Sequence, residues 1–118
     1  MRTSILWHGA TLALAAFFLF GAYSNASGAS AQAYVMWGYP EGFQFVTAAV
    51  ECMVAIALVW PRTRPLGAAL GATVMLAALS TLVSNDAAHR ALPALLTLIA
   101  SLTIGIHAWL AQLHMRNR

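Results

Sequence analysis

The chain has 118 residues, 61% of them hydrophobic and 8% charged, with a formal net charge of +3. Soluble domains are about one quarter charged, so this composition excludes an ordinary soluble protein and indicates one compact membrane domain over residues 1–118. The basic residues are all arginines, gathered at the ends of apolar runs. That placement bears on membrane topology and excludes a nucleic-acid surface.

Four apolar runs, residues 5–23, 43–60, 66–84 and 91–111, come close to the roughly 20 helical residues that cross a 30 Å hydrocarbon core. Lipid cannot satisfy exposed backbone amides, and no run alternates like a barrel strand, so the predicted fold is all-α: an integral membrane bundle of four transmembrane helices. The first run follows Arg2 and carries His8. Together with Ala31-Gln32-Ala33 it also fits a signal peptide, but its apolar stretch is longer than a signal core, and a retained helix is expected.

Residues 24–42 form the longest connection, starting small and polar and ending in Trp37-Gly38-Tyr39-Pro40. Its apolar middle, residues 33–37, fits either a lid over the mouth of the bundle or a linker with an interfacial aromatic anchor. The second run then places Glu51, one of three acidic residues, at its centre. A carboxyl group deep in a membrane is costly and by default marks a functional site. Gln44, Thr47 and Glu51 share one helical face, with Val54, Ala55 and Leu58 continuing it. Two readings stay open: a carboxyl that handles protons or anchors a ligand, and a neutral acid clamped by Ser or Thr on a neighbouring helix. Cys52, the single cysteine, is expected as a small core residue.

Pro61-Arg62-Thr63-Arg64-Pro65 demands a tight antiparallel hairpin into the third run, whose Gly67 and Gly71 form a GxxxG element for close helix packing. The partner helix is either in the same chain or in a second copy, which would make a homodimer. In the next turn Asp86 can cap the coming helix, and Arg90 can reach a carboxylate or lipid phosphate. Tyr39, Glu41, His89 and Arg90 are thus candidates for an outer rim site, with a local turn network as the alternative. The last run, with Pro93 near its start, carries His107 at a depth similar to that of His8. A proton relay, a pair of axial haem ligands and two interfacial histidines are all compatible with that pair, haem being the least supported.

Arg2, Arg62, Arg64, Arg116 and Arg118 fall on one side and Arg90 on the other, which predicts cytoplasmic amino and carboxyl termini. No nucleophile elbow, phosphate loop, CxxC or HExxH element is present, so neither a metal site nor a stand-alone enzyme is expected.

Gly38-Tyr39-Pro40, Phe43, Glu51, Pro61 to Ala68, Val74-Met75, His89 and Ala91-Leu92-Pro93, in that order and spacing, resemble the DoxX-like family of small four-helix bacterial membrane proteins. The resemblance runs from Gly38 to near Leu98, while the first helix departs from the usual pattern. It implies a bundle in the bacterial inner membrane and singles out Glu51 and the Gly38-Tyr39-Pro40 turn. It further implies a subunit or accessory of a membrane redox partner, with a quinone or similar apolar molecule bound between the helices. A proton-coupled transporter similar to the small multidrug resistance exporters and a purely structural subunit are the alternatives.

Overall fold

The computed structural model describes residues 2–118. Met1 and the side chain of Arg2, one of the arginines used for orientation, lie outside the described residues. The main helices are α1 (Arg2–Ala26), α2 (Ala31–Met36), α3 (Phe43–Val59), α4 (Arg64–Ser84) and α5 (Leu92–Arg116), with a 3₁₀ turn at Ala88–Arg90. Three of these, α1, α4 and α5, are long and apolar enough to cross a membrane, and α3 is a shorter apolar helix of 17 residues. At 1.5 Å per residue α3 spans about 25 Å. It starts at Gly42, which has a left-handed φ of 85°, and stops at Trp60, held extended before Pro61.

The bundle is elongated, 51 × 23 × 22 Å, with α1 packed mainly on α3, α3 on α4, and α4 on α5. Its core runs through Leu14, Phe18, Val54, Leu58, Ala72, Met75, Leu98 and Ile104. The first helix is therefore part of the core. Small residues set the helix spacings one above another. A Cβ on Gly105 would meet Ala68, one on Gly67 would meet Ala57 and the backbone of Leu58, and one on Gly71 would meet Phe18 and Val54. Gly67 and Gly71 of the GxxxG element thus face α3 and α1 of the same chain.

The α3–α4 hairpin closes by capping. The last carbonyls of a helix lack intrahelical donors, and here Thr63 Oγ1 donates to the Ala57 carbonyl at 2.8 Å while Arg64 Nε donates to that of Leu58 at 2.9 Å. From α5, Gln112 Nε2 donates to the carbonyls of Pro61 and Arg62. At this hairpin end α1 and α5 also meet, through Trp7 stacked on His107 with ring centroids 3.8 Å apart.

The α4–α5 turn departs from the expected one. Asp86 takes a left-handed φ of 57°, and among the described residues no side chain caps the 3₁₀ turn or α5. Short acidic side chains tolerate this conformation, so Asp86 serves the turn by its backbone. Cys52 is half-buried rather than in the core.

Gly67→Ala should lower the thermal midpoint, by about 1–3 kcal/mol of stability, because backbone atoms of α3 cannot give way to the new methyl. Gly9→Ala, with nothing within 4 Å of the new Cβ, should leave it unchanged or slightly raised. Thermal unfolding in detergent, followed by circular dichroism, measures both.

Candidate functional site

Most threonines of the spanning helices hydrogen-bond within their own helix: Thr11, Thr73, Thr97 and Thr103 each donate to the carbonyl four residues back. Glu51 has no such local solution. It is buried, 5% exposed, and its Oε1 accepts a hydrogen bond from Asn25 Nδ2 at 2.6 Å. The other oxygen, Oε2, lies where a Cβ on Gly21 would be. Glu51 therefore sits in a slot on α1 that only glycine leaves open, gripped from the next turn by an amide. Because Gly21 and Asn25 belong to the last two turns of α1, this carboxyl, though central in α3, lies in the half of the bundle that carries α2. The hydrogen-bond partner on the neighbouring helix is an asparagine, whereas the clamp reading named a serine or threonine.

Asn25 in turn accepts at Oδ1 from Ser30 Oγ, 2.6 Å away, just ahead of α2. Tyr39, beyond α2, shares a 2.6 Å hydrogen bond with Thr81 of α4 and stacks on Phe43 with centroids 4.7 Å apart. Tyr34 packs against Trp37, Tyr39 and Phe43. Burial pushes the Tyr34 phenol above its ordinary value, with the Thr47 hydroxyl pulling the other way. At neutral pH it is an O–H donor.

These groups surround a cavity of about 430 Å³, within the range of sites for small organic molecules. Its apolar wall comes from Phe17 of α1, Val46 and Val50 of α3, Val74, Met75 and Leu82 of α4, and Pro93 of α5. Tyr34, Trp37, Tyr39 and Phe43 form the aromatic side under α2, and Asn25, Thr47, Glu51, Thr81 and Arg90 are the remaining polar groups. Below it, toward the hairpin, Phe18, Val54 and Leu58 are fully buried. A second recess, about 410 Å³, opens between α4 and α5 near the hairpin. Among the described residues Ser101 and the Trp109 indole are its only polar side chains.

The structure brings together some of the residues marked in the sequence and separates others. Glu51, Thr47, Tyr39 and Arg90 line one cavity, whereas Gln44 is buried at the start of α3 and does not reach it. Glu41 and His89 are exposed outside it. His107 turns its ring to Trp7, and His8 is exposed one position further along α1, so both lie at the hairpin end, away from Glu51. Gly67 and Gly71 serve packing. Asn25, Gly21, Tyr34 and Trp37 were not among the residues singled out as a site. Their signal in the sequence was faint, since an asparagine and a glycine near a helix end read as ordinary termination.

The chain matches the DoxX-like family over residues 9–103 and belongs to it. The match takes in the first helix, beyond the stretch on which the resemblance was read. No curated protein and no solved structure gives a significant match.

Gly21→Ala should displace the Glu51 carboxyl and destabilise the bundle, while in a Glu51→Ala background the same change should cost little. A coupling of about 0.5–3 kcal/mol in the double-mutant cycle is the expected result. Additive losses would mean that the two residues do not share one slot.

Proposed function

We propose that this DoxX-like membrane protein is an accessory or subunit of a membrane redox system, and that it binds a quinone or a similar apolar molecule in the cavity beside Glu51. The observation that carries the reading is one cavity in which a buried carboxyl, an aromatic wall and neutral hydrogen-bond donors converge. A planar ring stacks on tyrosine and tryptophan faces. Its carbonyl oxygens are acceptors that Tyr34, Thr47 or a protonated Glu51 can satisfy, and Arg90 at the edge can serve a second oxygen. The aliphatic tail of such a ligand needs only the lipid-like walls supplied by Val46, Val50 and Val74.

The side chains provide binding, orientation and one exchangeable proton. Electron transfer would come from the bound molecule and a partner protein, in a bacterial plasma membrane with both termini cytoplasmic. The filled core below the cavity favours a binding site over a passage, and so favours this reading over a proton-coupled exporter. In the structural alternative Glu51 would only lock α3 to α1.

A photoreactive quinone should label peptides from α3 and the segment 31–43, and unlabelled quinone should compete. Glu51→Gln should weaken labelling about tenfold, the scale of one hydrogen bond to a charged or strongly polar group. Labelling that misses α3, or that is untouched by both Glu51→Gln and Tyr34→Phe, would remove the proposal. A thermal shift in Glu51→Ala with no quinone effect on either protein would leave the structural role in its place.

A further inference from the structure

The segment that contributes Tyr34 and Trp37 to the cavity wall is weakly built. Helix α2 has six residues and no buried one, and a helix of that length has little stability of its own. It is bounded by glycines in left-handed conformations, Gly28 at φ 83° on one side and Gly38 at φ 90° on the other. Such positions let a chain change direction with little steric cost. Segments with few buried contacts occupy the low end of local stability and open first.

What holds α2 down is polar and aromatic. On its far side the Tyr39 hydroxyl is bonded to Thr81 Oγ1. On its near side runs a chain of two short side-chain bonds, Ser30 Oγ to Asn25 Oδ1 and Asn25 Nδ2 to Glu51 Oε1, each 2.6 Å. This chain of bonds begins on the residue ahead of α2 and ends on the buried carboxyl in the cavity wall.

We propose that Asn25 is a positioning residue that ties the Glu51 carboxyl to the segment over the cavity, so that α2 acts as a lid latched from within the site. The amide is suited to this because it donates with one atom and accepts with the other. A group that takes Glu51 Oε1 away from Asn25 frees the amide to turn. Ser30 then loses its acceptor, and α2 is left with the Tyr39 bond to Thr81 and the contacts of Tyr34 with Phe43 and Thr47. Access to the cavity is in this way coupled to what occupies the carboxyl. The inference rests on the cavity being a ligand site, but its test needs no ligand.

The test follows access of water-borne reagent to the cavity. Cys52→Ala removes the native thiol, and Val50→Cys places one in the cavity wall without replacing a residue of either latch. The purified full chain in lipid nanodiscs, with both faces exposed, is reacted with a charged methanethiosulfonate, and the labelling rate is measured. One lost hydrogen bond, about 1 kcal/mol, corresponds to about a fivefold change in the opening equilibrium. Asn25→Ala and Ser30→Ala should each label about fivefold faster than the parent, and Ser30→Thr should return the parental rate. Glu51→Gln keeps an oxygen acceptor for Asn25 and should also label at the parental rate, whereas Glu51→Ala should match Asn25→Ala and add nothing to it. Tyr39→Phe should accelerate labelling independently and multiply with Ser30→Ala.

Parental rates in both Asn25→Ala and Ser30→Ala would overturn the latch, as would failure of Ser30→Thr to restore protection. Should Asn25→Ala not fold, Ser30→Ala decides alone, since it leaves the Asn25 to Glu51 bond in place. Quinone photolabelling reads the ligand site separately. A failed latch with intact photolabelling discards the lid coupling only, and the reverse outcome discards the ligand.

Discussion

A carboxyl group within an apolar bundle is the constraint around which this molecule is arranged. Placing an acid at the centre of a membrane helix costs about 3 kcal/mol on insertion scales, and the chain offsets that cost locally. Gly21 removes a side chain so that the carboxyl can rest against α1, and Asn25 donates to it from the next turn. The same demand shapes the end of α1. Were Asn25 in a free loop, as its small polar neighbours suggest, its amide would not be held over Glu51. The helix continues to Ala26 instead.

The two halves of the bundle have different physical characters. Toward the hairpin, small residues bring backbones together, side chains fill the space between them, and carbonyls at the end of α3 are capped by Thr63 and Arg64. Toward α2 the helices leave a cavity, and aromatic rings with a few hydroxyl groups close over it. Close packing fixes where α1 and α3 stand, so Glu51 and Asn25 meet without depending on the loop. The loop itself has no buried residue in α2 and rests on aromatic contacts and a few hydrogen bonds.

The sites read from the sequence divide along the same line. Thr47, Glu51, Tyr39 and Arg90 converge, although they are far apart in the chain, because the α3 face, the aromatic turn and the 3₁₀ turn all close on one end of the bundle. His8 and His107 share the other end, where the indole of Trp7 takes the face of His107. Equal depth, estimated by counting residues, does not decide whether two side chains point toward each other. Rotation about each helix axis decides that, and packing sets the rotation.

Hydrophobicity over runs of about 20 residues was enough to determine the all-α class, the four principal helices and the hairpin at Pro61 to Pro65, because the bilayer imposes length and internal hydrogen bonding on any segment that crosses it. Glu51 was legible for the same reason, since a lone acid in such a run is conspicuous. The amide that holds it, the glycine that makes room for it and the helix whose Tyr34 shares its cavity could be decided only by tertiary structure. Asn25 and Glu51 are 26 positions apart, and no periodicity within one helix encodes which side chain on another will face it. That pairing arises from the distance and rotation between α1 and α3, which the small residues and the core between them establish.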